Sequence, residues 1–173
     1  MRDLADKARI EAFLAALSRA TDAETEVFLV GGTSAVIVGW RHTTIDIDLA
    51  IRPDSDAILR AIPELKERLR VNVELASPDM FLPIPQGWEQ RSPMVSRSGH
   101  VTIRHFDFSA QALAKIERGH TQDVADVHAM HERRLIAPAT IREQFAQMEA
   151  QFYRFPAIDP RSFRRALDAI FPA

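Results

Sequence analysis

The sequence contains no cysteine, which excludes disulfides and thiolate metal sites and fits a reducing compartment. Excess charge is almost absent as well: 22 basic against 24 acidic residues leave a formal net charge of −2, with both signs mixed along the chain. That excludes the broad basic footprint of a bulk nucleic-acid binder, so any nucleic acid would be gripped locally. No apolar run approaches the ~18 residues of a membrane span, and no membrane partner is expected. The opening MRDLADKARIEAFLAAL mixes both charge signs without an apolar h-region; no signal peptide is expected, and the expected location is cytoplasmic. Internal repeats and low-complexity tracts are missing. Glycine is scarce, with six in 173 residues, and two of the six are adjacent, Gly31 and Gly32.

What is present is 46% hydrophobic residues, which suits one domain with a real core, or a core plus a small helical appendage. Leu4, Ala8, Phe13, Leu14 and Leu17 recur at helical spacing and predict an amphipathic helix over 3–20. EVFLVGG reads as a strand buried on both faces. TSAVIVGW reads as a brief helix, with Thr33 and Ser34 as candidate caps and Gly39 at its end. In TTIDIDLAI, Ile45, Ile47 and Leu49 alternate with Thr44, Asp46 and Asp48, a strand with one apolar and one acidic face. RPDSDAILRAIPELKERLR predicts a helix capped by Asp54 or Ser55, with a kink or break at Pro63. VNVELAS alternates again, with Asn72 and Glu74 opposite Val71, Val73 and Leu75. The stretch 78–98 holds Pro78, Pro83, Pro85 and Pro93 and reads as an irregular excursion. HVTIRHFDF predicts a fourth strand, and from Ser109 onward the patterns are helical, the last helix opening with Asp159 as N-cap and Pro160 at its first position. The order implies an α/β core over residues 1–108 and a helical part over 109–173, together one compact unit.

The chemistry-bearing stretch is VGGTSAVIVGWRHTTIDIDLAI, residues 30–51. A glycine pair between a buried strand and a helix lets backbone amides approach an anion, and the helix N-terminus favours negative charge there. Asp46 and Asp48, two apart on a strand, project from one face about 7 Å apart along the chain, close enough to share divalent cations through oxygen ligands. Two carboxylates beside a phosphate-binding turn are the parts of metal-assisted phosphoryl or nucleotidyl transfer.

These residues resemble the nucleotidyltransferase superfamily that includes DNA polymerase beta, in its minimal nucleotidyltransferase branch. VGGTSAVIVGWRHTTIDIDL and ALAKIERGHTQDVADV more narrowly resemble the AbiEii-type and related uncharacterised bacterial proteins of that branch, some of them toxins of toxin–antitoxin pairs. The resemblance spans roughly residues 25–130. It implies a mixed sheet flanked by helices, an NTP bound over the sheet with Mg²⁺ or Mn²⁺, and an acceptor attacking the α-phosphate. Gly31 and Gly32 match the phosphate turn, with Thr33 or Ser34 supplying a hydroxyl to the triphosphate. Asp46 and Asp48 match the metal-binding pair. Glu74 on the next strand is the candidate third carboxylate, sharing a metal or taking the acceptor proton; Asp107 is the alternative. Lys115 would meet the nucleotide phosphates, with Asp123 or Asp126 orienting it or reaching base or acceptor. The chain departs from many relatives at Gly32, where they carry serine.

Other residues carry less. Arg41 and His42 precede the acidic strand and could touch phosphate. His128, His131 and Glu132 lack the further ligands a zinc site needs. Trp88 and Phe81 could stack on a base, although packing of their loop on the sheet is the simpler expectation. The expected activity is transfer of NMP from an NTP to an RNA end, transfer RNA included, or to a protein hydroxyl, toxin-like by resemblance and with a cognate antitoxin as partner. The alternatives are metal-assisted phosphate hydrolysis and a degenerate fold acting as an antitoxin or protein-binding module through QFYRFPAIDPRSFRRALDAIF.

Overall fold

The computed structural model describes residues 3–172. By its internal contacts the chain forms two compact units, one running up to Ser77 and including Ser92–Phe106, the other made of Pro78–Arg91 and the chain from Asp107 onward. The excursion at 78–91 therefore groups with the helices, not with the sheet on which it was expected to pack.

The first unit carries β1 (Ala5–Asp6), α1 (Lys7–Leu17), β2 (Thr25–Leu29), α2 (Gly31–Val38), β3 (Thr43–Thr44), β4 (Asp46–Arg52), α3 (Asp56–Leu69), β5 (Asn72–Leu75), β6 (Met94–Ser98) and β7 (Val101–His105). Five strands form a mixed sheet in the order β5-β4-β2-β7-β6, while β1 and β3 make a separate two-stranded ladder. β2 runs antiparallel to β4 and parallel to β7; β4 and β5 are parallel, joined through α3. The fold class is thus mixed α/β.

Strand alternation decides where the core sits. Val27 and Leu29 of β2 and Ile47, Leu49 and Ile51 of β4 share one cluster with Ile10, Phe13, Leu14 and Leu17 of α1 and Ile58, Ile62 and Leu65 of α3. Because successive side chains on a strand point to opposite faces, Asp46 and Asp48 project from the face turned away from that cluster.

Several local expectations are corrected. The first helix starts at Lys7, not residue 3, because the Asp6 carboxylate accepts from the Arg9 amide at 2.9 Å and caps it there. Leu4 and Ala8 are exposed, and Ile10 joins the buried face instead. Ile45 falls in the break between β3 and β4 and is 66% exposed, so it leaves the apolar face of Ile47 and Leu49. Leu75 ends an edge strand and is exposed too. Ser55 caps α3, its hydroxyl accepting from Ile58, and α3 runs through Pro63 unbroken. Pro63 lies on the exposed face, where water can satisfy the carbonyl left without a donor. The irregular stretch 78–98 contains the short α4 (Trp88–Arg91) and the strand β6. All five residues of β6 are exposed, so no alternation marked it; backbone bonding to β7 alone makes it a strand.

The second unit contains α5 (Phe108–Arg118), α6 (Thr121–Glu132), α7 (Pro138–Glu149) and α8 (Pro160–Ile170). Asp159 caps α8 by accepting from the Arg161 amide, with Pro160 at the first helical position, as the sequence implies. Phe145, Phe152 and Phe163 pack edge-on and stacked with centroids 4.9–5.8 Å apart. Phe152, Phe163 and Phe171 of the C-terminal segment are thereby used inside their own unit, whereas Tyr153 is 82% exposed. Among the described residues no helix is long and apolar enough to cross a membrane.

Candidate functional site

In the first unit the chain leaves β2 at Val30 and turns at once into α2. Gly31 makes the turn with a φ of +57°, which a residue with a side chain rarely adopts. A Cβ there would lie 3.1 Å from Asp48 Oδ2, so the bare glycine lets the carboxylate sit directly against the start of the helix. The Val30 amide donates to the Asp48 carbonyl at 3.1 Å, clamping β4 to the turn. Val30 is the N-cap of α2 and has no side-chain oxygen to offer the first-turn amides.

The two hydroxyls expected to serve the triphosphate do something else. Thr33 and Ser34 are fully buried. The Asp48 amide donates to Thr33 Oγ1 at 2.8 Å, and Ser34 Oγ donates to the Leu29 carbonyl at 2.9 Å. Neither hydroxyl caps α2 either. Both tie the turn to the sheet. With its one proton on Leu29, Ser34 Oγ is left to accept from His105 Nδ1 at 2.9 Å, selecting the Nδ1–H tautomer of a neutral imidazole. Burial pushes the His105 pKa down to about 4, consistent with that neutral ring.

The hydroxyl that does approach the turn belongs to Thr44. A Cβ on Gly32 would lie only 2.2 Å from Thr44 Oγ1 and 3.4 Å from Arg41 Nη1. Thr44 and Arg41 thus occupy the space that a side chain at position 32 would fill. Thr44 was missed as a site residue, although its signal was present: it continues the Asp46 and Asp48 alternation by one step. His42, by contrast, is exposed.

Asp46 and Asp48 are half-buried on β4. The parallel register pairs Asp46 with Asn72 and Asp48 with Glu74, so Glu74 stands beside Asp48 on the neighbouring strand, exposed. Among the described residues no three His, Cys, Asp or Glu side chains are gathered closely enough to hold a metal ion, and this covers both the carboxylate trio and the His128/His131 pair. Two carboxylates suffice for Mg²⁺, which is commonly held by one or two protein carboxylates together with substrate phosphates and water. The hard oxygen donors of Asp46 and Asp48 fit that ion.

In the second unit, Lys115, Asp123 and Asp126 do come together. Lys115 is 4% exposed and its Nζ donates to Asp126 Oδ2 at 2.6 Å and to Asp123 Oδ1 at 3.2 Å, joining α5 to α6. Arg118 donates to both oxygens of Asp123, and Gln122 Nε2 donates to Asp126 Oδ1. Burial pushes the Asp123 carboxyl up, but the Arg118 hydrogen bonds and the Lys115 and Arg118 charges outweigh it and hold its pKa below the ordinary value. Both aspartates therefore accept from Lys115. Asp107, the alternative third carboxylate, is 3% exposed, caps α5 by accepting from the Ser109 amide, and is paired with Arg91 at 2.7 Å. Phe81 is 62% exposed and Trp88 half-buried in the same unit.

A family model described as "Nucleotidyltransferase of unknown function (DUF6036)" matches residues 8–155, spanning both units. No curated protein and no solved structure matches the chain.

Proposed function

Because the chain belongs to the DUF6036 family of nucleotidyltransferases, we propose that it moves NMP from an NTP to an RNA end or a protein hydroxyl, with Mg²⁺ or Mn²⁺ held by Asp46 and Asp48. The observation that carries this reading is the Asp48 carboxylate lying against Gly31, at the start of α2. The helix start attracts a phosphate, yet a phosphate there would meet the Asp48 charge at close range. A divalent cation between them removes the conflict, so turn and acids make sense as one nucleotide–metal site.

The bound cation would neutralise the triphosphate and polarise its α-phosphate. The α2 amides would hold the phosphate tail, with Thr44 Oγ and Arg41 as side-chain donors. The acceptor oxygen bonds to the α-phosphorus as the bond to the bridging oxygen breaks, pyrophosphate leaves, and the acceptor proton passes to a carboxylate, a role Glu74 suits by its register beside Asp48. Lys115, assigned by resemblance to the phosphates, gives two of its three N–H donors to Asp126 and Asp123 and keeps one. The toxin-like role, transfer RNA as acceptor, a cognate antitoxin and the narrower AbiEii likeness rest on the quoted motifs. A binding module has less support, since Phe152, Phe163 and Phe171 of its proposed interface are packed inside their unit and Tyr153 is the aromatic left largely exposed.

The test is incubation of the purified protein with Mg²⁺ and each of four α-labelled NTPs, against transfer RNA and cell lysate. Label is expected on RNA or protein with the wild type, reduced roughly 100-fold or more in Asp48→Asn. Transfer that proceeds unchanged in Asp48→Asn sinks the assignment.

A further inference from the structure

The second unit holds a cleft that the chemistry above does not use. It is a shallow cleft, largely open to solvent, of about 420 Å³ where α6 gives way to α7, and Ser109, His131, Arg134 and Thr140 line it. Arg134 follows the end of α6 with a φ of +58°, and its guanidinium has no acidic partner among the described residues. α7 opens with Ala137 as N-cap and Pro138 at its first position, so no side chain caps the amides of Ala139 and Thr140. Independently of that helix start, Ser109 is 7% exposed, lines the cleft, and makes no side-chain hydrogen bond among the described residues. Its Oγ is not among the buried atoms left without a partner, so the part of Ser109 still open to solvent includes the hydroxyl, on the side of the cleft that it lines. The Thr140 hydroxyl is also without a partner among the described residues.

The sign of the cleft is one-sided. Its polar side chains all donate hydrogen bonds or can do so, and no carboxylate lines it. The nearby Asp107 is neutralised by Arg91. A guanidinium, two hydroxyls, an imidazole and a helix N-terminus converging on one space match a tetrahedral oxyanion, which accepts several bonds at once. Leu135 and Ile136 supply an apolar side, and the volume exceeds what one phosphate fills.

We infer that this cleft binds one phosphate group of single-stranded RNA, with the attached nucleoside against Leu135 and Ile136. The choice of RNA as the phosphate's source rests on the nucleotidyltransferase reading; the oxyanion chemistry does not. A local grip of this kind also suits a chain whose net charge is −2.

The experiment measures anisotropy of a 3′-fluorescein octauridylate titrated with the full chain at several salt concentrations, with UMP and inorganic phosphate as separate probes. Arg134→Ala, an exposed position that leaves the core intact, is expected to weaken the oligonucleotide roughly tenfold. It should also flatten the slope of log affinity against log salt by about 0.7, one phosphate contact on a single strand. Arg134→Lys should recover part of the affinity and the whole slope, which a merely structural arginine would not. Wild-type affinity and slope in Arg134→Ala overturn the proposal, as does a wild type that does not bind the oligonucleotide. Arg134-dependent binding of UMP or inorganic phosphate alone overturns RNA as the source. NTP binding and label transfer by the wild type report on the nucleotidyltransferase reading, so either idea can fail without the other.

Discussion

Asp46, which opens β4, and Asp126, in the middle of α6, are both aspartates, yet they live under opposite electrostatic regimes. Asp126 is fully buried and satisfied from within, by Lys115 at 2.6 Å and by Gln122. Asp46 is half-buried on an interior strand, and its carboxylate makes no ion pair or side-chain hydrogen bond among the described residues. A carboxylate whose counter-charge comes from its own fold holds elements together. One held on a sheet face without such a partner is poised for a cation brought from outside. The contrast separates the part of this molecule that shapes helices α5 and α6 from the part suited to chemistry.

The largest expected effect comes from breaking the internal pair. Lys115→Met leaves two buried carboxylates facing each other and is expected to destabilise the protein by about 3–5 kcal/mol, read from urea unfolding midpoints. Asp46→Asn removes a charge that the protein itself does not match, so its unfolding free energy should move by no more than about 0.5 kcal/mol while label transfer is lost. If both variants lost stability alike, the division between structural and chemical acids would be wrong.

Acid titration sharpens the same comparison. His105 has a pKa lowered to about 4 from 6.5, so between these values the unfolded chain binds the extra proton. Its contribution to stability is complete above pH 6.5, shrinks as pH falls towards 4, and totals about 3 kcal/mol. Asp123 has a lowered carboxyl pKa, so its contribution is present above its ordinary value of 3.8 and disappears only below it. Unfolding free energy measured from pH 7 to 3 should therefore fall first in the His105 window, and His105→Asn should remove that early step. A curve flat from 6.5 to 4 would refute the buried neutral imidazole.

The smallest effect is expected at Gln144, on α7, whose Oε1 is buried without a partner. Gln144→Met keeps the volume and removes an unsatisfied acceptor, so the melting temperature should stay level or rise by a few degrees. A clear fall would mean that the oxygen is met by an ordered water.

The period-2 pattern of DIDL made the acidic face of β4 legible, because alternation is a property of a single strand's backbone. The glycine pair was legible for a similar reason: a strand and a helix meeting at two glycines need a turn that other residues resist. β6 was illegible, since five exposed residues carry no apolar signal and only hydrogen bonding to β7 makes them a strand. Thr33 and Ser34 were misread as caps because a hydroxyl near a helix start looks the same in sequence whether it caps the helix or turns inward to the sheet.

Residue order alone was enough to settle that Asp46 and Asp48 alternate with Ile47 and Leu49, that Asp159 caps its helix, and that two acids share one face. These depend on chemistry within a few residues. Packing had to decide that Thr33 meets Asp48 fifteen positions away, that Thr44 fills the space beside Gly32, that Glu74 stands next to Asp48, and that Lys115 is held by two acids of another helix. Each joins segments distant in the chain, and their register is set by the bonds and volumes of the whole fold, which no local pattern encodes.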